Sequence, residues 1–238
     1  MRLTLEYLDA GASHVATLLY EPPAPKGVTV VLAHGYSSSK QNLDLLAAFV
    51  AQHGFRIVTF DFPGHKLGAT GGRLASFDTC LETMSRVVDH VRERFEGPVY
   101  VGGHSLGAAT ALRVCGADPT LAGCISIATG RDIARGLEQL KARGPLAFRA
   151  TYVDGISLPE LLEQMTVESL DAALDAIAGR PLLVVAAAHD LIAARSQVES
   201  LFERAADPKT LAVIESDHTF AASNSKAAVL AWLRARAG

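Results

Sequence analysis

The chain has 238 residues, of which 49% are hydrophobic, and 22 basic side chains against 25 acidic ones, a formal net charge of −3. That apolar content excludes intrinsic disorder, and the near-balanced charge leaves no electrostatic footprint for nucleic acid or an anionic membrane. Cys80, Cys115 and Cys124 show no C-x-x-C spacing, which argues against a disulfide framework or a structural zinc site.

Residues 2–8 and 14–20 alternate apolar and polar side chains around Asp9-Ala10-Gly11-Ala12, the pattern of a hairpin. The first segment has no signal-peptide apolar block, and no run of 18 apolar residues follows, so a cytoplasmic location without membrane helices is expected. Pro22, Pro23 and Pro25 interrupt regular structure. Six apolar, β-rich runs then follow: Val28–Ala33, Phe55–Phe60, Val99–Gly102, Leu121–Ile127, Leu182–Ala187 and Leu211–Ile214.

Between the runs the period lengthens to that of a helix. Leu43, Leu46, Ala47 and Val50 form one stripe, closed by His53-Gly54. Leu81, Met84, Val88, Val91 and Phe95 form another, with Ser76 as the expected N-cap and Gly97-Pro98 as the stop. Further helices are expected at 106–116, 194–206 and 222–236. Short continuous strands separated by helices predict an α/β protein: a mostly parallel central sheet of about eight strands, covered by helices on both faces. The whole chain, 1–238, reads as one domain. The connection from about 130 to 179 is too long for a simple loop, and helices around 132–142, 158–165 and 169–178 make it a cap inserted over the strand ends.

Ligands in such sheets bind beyond the carboxyl ends of the strands, so the chemistry should follow the runs directly. Gly103-His104-Ser105-Leu106-Gly107 stands between a strand and an Ala/Leu-rich helix. G-x-S-x-G alone is a weak signal, but strand before and helix after are what a nucleophile elbow needs. The turn holds the serine oxygen above the sheet edge and requires small flanking residues. It also leaves the Leu106 amide at a helix N-terminus, where it can stabilise an oxyanion.

A serine needs a base, and of eight histidines His218 stands apart, because it follows the last run in Ser216-Asp217-His218. His14, His53 and His90 read as surface or packing residues, and His34, His65, His104 and His189 belong to local turns. As the base His218 must be neutral, so activity should decline in acid. The acid that orients it is expected to be Asp190, directly after Leu182–Ala187, with Asp132 and Asp217 as competitors. The second oxyanion donor should come from His34-Gly35-Tyr36-Ser37-Ser38-Ser39, where the Tyr36 amide is the candidate. Gly35 would permit close backbone approach, and Ser38 or Ser39 could cap the next helix.

Together, His34-Gly35-Tyr36, Asp61-Phe62-Pro63-Gly64-His65, the Ser105 elbow, Asp190 and His218 resemble the α/β-hydrolase fold family over almost the whole chain. The resemblance implies a small serine esterase or lipase with a compact cap, acting on a small acyl substrate through an acyl-enzyme. It also implies that Asp61 and Gly64 shape a loop and are not catalytic. The family's usual Gly-His-Gly-x-Ser is replaced here by Gly64-His65-Lys66-Leu67-Gly68. No cofactor is expected, and no His-Glu-x-x-His or other metal-ligand spacing occurs. Thioesters, amides, peptides and carbon–carbon bonds fall to similar triads, so the cap should decide; a non-catalytic ligand-binding protein on the same scaffold is the alternative of a different class. Its Leu137, Leu140, Leu146, Phe148, Ile156, Leu161, Leu162 and Met165 could line an acyl pocket, and Arg143 or Arg149 could meet a carboxylate. Oligomeric state has no signature in the sequence.

Overall fold

A computed structural model describes residues 1–10, 13–132 and 145–236. Strands β1 (Arg2–Ala10) and β2 (Ser13–Glu21) form the expected antiparallel hairpin. Then come β3 (Thr29–Ala33), a 3-10 turn (Lys40–Leu43), α1 (Asp44–Ala51), β4 (Arg56–Phe60), α2 (Phe77–Arg94), β5 (Val99–His104), α3 (Leu106–Ala117) and β6 (Gly123–Ile127). Helices α4 (Pro145–Ala150), α5 (Leu158–Gln164) and α6 (Val167–Ile177) lead to β7 (Leu182–Ala187). The chain closes with α7 (Arg195–Arg204), β8 (Lys209–Ile214), α8 (Ala221–Asn224) and α9 (Lys226–Arg234).

The eight strands form one sheet in the order β1-β2-β4-β3-β5-β6-β7-β8. β1, β2 and β4 pair antiparallel, and every pair from β4 to β8 is parallel. Strand alternation sorts the apolar residues into two cores. Val31, Ala33, Val184 and Ala186 face α2, α3, α6 and α7, while Val30, Leu32, Val185 and Ala187 face α1 and α9. Burial on both faces explains why these strands read as continuous apolar runs.

The predicted cap of α2 forms as a reciprocal box, with Ser76 Oγ accepting from the Thr79 amide and Thr79 Oγ1 from the Ser76 amide. Neither Ser38 nor Ser39 caps α1. Ser39 makes no capping bond to the 3-10 turn, and Ser38 Oγ instead accepts from Asn42 Nδ2 at 2.6 Å. In the long connection, the helix expected around 132–142, with Leu137, Leu140 and Arg143, falls outside the described residues beyond Asp132. α6 lies against α3, so close that a Cβ on Gly116 would stand 2.9 Å from the Ala173 Cα. The three cysteines are free and buried. Among the described residues, no helix is long and apolar enough to cross a membrane.

Candidate active site

The carboxyl ends of β3, β5, β6, β7 and β8 converge on one region. After β5 the chain turns through Ser105 at φ 54° and ψ −116°, a left-handed conformation that costs a non-glycine residue on the order of 1 kcal/mol or more. The turn is tight because nothing larger than glycine fits beside it. A Cβ on Gly103 would stand 2.5 Å from the Gly107 carbonyl carbon and 2.6 Å from the Ala33 oxygen, and a Cβ on Gly107 would overlap the Ala33 carbonyl. Ser105 is fixed by its amide donating to Ile127 O at 2.9 Å, while its carbonyl accepts from Ala108 and Ala109.

Of the carboxylates weighed from the sequence, Asp190 is the one joined to His218. His218 Nδ1 lies 2.8 Å from Asp190 Oδ2. The other oxygen, Oδ1, accepts from the Ile192 and Ala193 amides, each at 2.8 Å, so the buried carboxylate is held from two directions. Asp217 is exposed, and its Oδ1 accepts from the Phe220 amide. Asp132 stands elsewhere on the cavity wall, its amide donating to Gln197 Oε1 at 3.2 Å.

The loop after β3 is pressed against the elbow. A Cβ on Gly35 would come within 3.1 Å of His104 Nδ1 and 3.3 Å of Ser105 Cβ, so the glycine admits the elbow itself. Tyr36 follows on the cavity wall beside Ser105 and Leu106. Its amide donates to no other group among the described residues, and neither does that of Leu106, the first residue of α3. Ser37, at φ 54°, is a second left-handed residue that turns this loop away again.

Three histidines support the site, His34 and His65 buried and His104 half-buried, and all three are kept neutral by desolvation. His34 accepts from the Phe62 amide through Nε2 at 3.0 Å, which places its proton on Nδ1, 2.8 Å from Gly35 O. Burial, then the neighbouring His65, pushes its pKa down to about 3. His104 is likewise lowered to about 3 by burial and by His218, whose ring centroid is 4.7 Å away. His65 is lowered by burial as well. Of the other histidines, His14 and His189 make only surface contacts to Asp9 and Glu215.

Two cavities of about 50 and 550 Å³ open at Ser105, and Tyr36, Ser105 and His218 form part of the wall of both. Leu161, Leu162 and Met165 line the smaller one, and Arg149 the larger. Phe148 is exposed and packs on Tyr152, while Ile156 is half-buried against the core.

The sequence reading missed the buried pair that braces this region. Lys40 Nζ sits 2.5 Å from Asp61 Oδ2, the Lys40 amide donates to Oδ1 at 2.7 Å, and both side chains are almost wholly buried. A lysine in a polar stretch gives no sign of burial; the aspartate directly after β4 was the available clue. Leu158, Ile192 and Gln197 were also missed as wall residues, because their approach to Ser105 depends on how segments far apart in sequence pack.

Comparison with known proteins places this arrangement in context. Residues 30–237 match the alpha/beta hydrolase family. Protein phosphatase methylesterase 1 of Candida albicans is 25% identical over 182 residues, covering 74% of this chain but only 41% of the relative's length. An esterase of Pyrococcus furiosus has the same fold, with a TM-score of 0.76 at 18% identity, over 100% of this chain and 93% of that one. The esterase domain of a Rhodothermus marinus protein superposes over the full length of both chains with a TM-score of 0.73 at 20% identity. The chain belongs to the alpha/beta hydrolase family.

Proposed function

We propose that this protein is a serine hydrolase that cleaves carboxylic esters through an acyl-enzyme. The observation that carries the reading is the Asp190–His218 contact of 2.8 Å, with Asp190 locked by two amides and His218 sharing a cavity wall with the strained Ser105. In this reading His218 Nε2 takes the proton of Ser105 Oγ as the oxygen attacks the ester carbon. Asp190 holds the proton on Nδ1 and stabilises the imidazolium that forms. The amides of Tyr36 and Leu106 receive the oxyanion of the tetrahedral intermediate. Collapse of the intermediate breaks the ester C–O bond, and His218 returns its proton to the departing alcohol. Water then attacks the acyl-serine by the same route, releasing the acid and free Ser105.

The residues after β5, β7 and β8 thus act at one point although 113 positions separate Ser105 from His218. The esterases of like fold support an ester as substrate. The apolar wall of the smaller cavity supports an acyl group there, and the helices between β6 and β7 serve as its cap.

Ser105→Ala tests the reading. Turnover of a short p-nitrophenyl ester should fall by about a million-fold, with circular dichroism and melting temperature close to wild type. A fluorophosphonate should label the wild type and not the variant. A folded variant that keeps its turnover would overturn the assignment.

A further inference from the structure

The two cavities that meet at Ser105 differ in size and chemistry, and that difference bears on both halves of the substrate. The smaller, about 50 Å³, has room for about three to five water-sized groups. Its wall is mainly apolar, from Leu106, Ala128, Leu161, Leu162, Met165 and Ile192, with Asp132 as its one charged residue among those described. The larger, about 550 Å³, has a mixed wall, on which Leu45, Leu67 and Phe220 stand among Gln41, Asn42, Thr219 and Ser223. Among the described residues, Arg149 on α4 is the only lysine, arginine, aspartate or glutamate on that wall. His34 and His104 on the same wall are held neutral, with pKa values pushed down to about 3.

The chemistry of the step tells the halves apart. The leaving oxygen must lie against His218, because His218 returns the proton to it. The residues that follow the base, Thr219, Phe220 and Ser223, wall only the larger cavity, so the alcohol belongs there. Leu106, an expected oxyanion donor, walls only the smaller one, so the acyl chain belongs beside it.

We infer that the substrate is a short-chain ester whose alcohol half carries an anionic group, a carboxylate or a phosphate, paired with the Arg149 guanidinium. The inference rests on the ester-hydrolase reading and adds the charge of the leaving group to it. Among the described residues, Arg149 forms no ion pair and its guanidinium no hydrogen bond, so its five donors are free for a ligand. A guanidinium fork binds carboxylate or phosphate by paired hydrogen bonds, which an ammonium cannot reproduce. The neighbouring hydroxyls and amides suit the polar remainder of such an alcohol.

Three butyrate esters test the inference: 4-(butyryloxy)benzoate, 4-(butyryloxy)phenyl phosphate and the neutral 4-(butyryloxy)benzamide. Each is measured with wild type, Arg149→Gln and Arg149→Lys, so that differences in intrinsic reactivity cancel. For at least one anionic ester, Arg149→Gln should lower kcat/KM at least tenfold more than for the benzamide. The loss should appear mainly in KM, be partly restored by Arg149→Lys, and shrink with added salt. Which anion responds distinguishes carboxylate from phosphate recognition. Equal losses for charged and neutral esters, or none, would overturn the role of Arg149 while leaving the ester-hydrolase reading intact. If wild type hydrolyses none of the three, the ester reading itself fails, and the inference fails with it.

Discussion

At the scale of single residues, the pair Lys40–Asp61 ties the loop before α1 to the loop after β4. Asp61 accepts from Lys40 Nζ, the Lys40 amide and the Ala69 amide, so its buried charge is compensated by one cation and two backbone dipoles. Gly68 is needed beside it, because a Cβ there would stand 2.5 Å from the Asp61 carboxyl carbon. That contact gives the departing motif Gly64-His65-Lys66-Leu67-Gly68 a structural purpose, and Gly64, at φ +77°, packs against the Leu74 amide. Burying two ions is expensive, so such a pair does not by itself stabilise a fold; removing one partner, however, strands the other charge. Lys40→Met should therefore destabilise the protein by about 3–5 kcal/mol. For a chain of this size that lowers Tm by about 6–20 °C. The double variant Lys40→Met/Asp61→Leu should recover a large part of the loss. Calorimetry of the three proteins decides the point, and a shift below about 2 °C for Lys40→Met would show that the pair is not a brace.

At the scale of elements, the elbow between β5 and α3 is where sequence and geometry are most tightly coupled. Gly107→Ala sets a methyl group against the Ala33 carbonyl, backbone against backbone, so the turn itself has to shift. A displacement of about 1 Å in a catalytic group costs about a hundredfold in rate. Gly107→Ala should thus lower kcat/KM for a short ester by about that factor while the circular dichroism spectrum persists. Gly71→Ala, with no atom within 4 Å of the added methyl, is the control; equal rates in the two variants would contradict the steric account. This turn was legible because a motif, a strand and a helix coincided in sequence. The same holds for α2, whose Ser76 box and apolar stripe are local signals. Strand ends were less legible, because an apolar run reports burial and not pairing. Val28 and Leu121 are buried yet precede the ladders that begin at Thr29 and Gly123. Conversely, β8 begins at Lys209 instead of Leu211, its lysine Nζ donating to the carbonyls of Phe202 and Ala205, where no hydrophobic pattern marks a strand. The Asp190–His218 contact was legible as two strand ends, whereas the unequal cavities arise from α4 and α5 packing over those ends and left no pattern in the chain.

At the scale of the whole molecule, the desolvated histidines make stability depend on pH in a direction that can be fixed. His34 and His104 have folded pKa values of about 3, against about 6.5 for an unfolded histidine. Between those values the unfolded chain binds protons that the folded chain refuses, so stability falls as pH drops through this window and is fully present above it. Each histidine contributes a slope of at most about 1.4 kcal/mol per pH unit, and His65, also lowered, acts in the same direction. The carboxylates held down by arginines, Asp118, Asp171 and Asp175, act only below their ordinary value near 4. The window from about 4.5 to 6.5 is thus dominated by the histidines. Urea unfolding measured at half-unit intervals across it should show stability rising with pH. Replacing His104 or His34 by glutamine should flatten that rise by about 1 kcal/mol per pH unit, whatever the variant's absolute stability. Such a difference in slope separates the titration of a desolvated ring from the packing lost with it. Slopes equal to wild type in both variants would mean that these rings take up protons without unfolding, through water reaching the base of the active site.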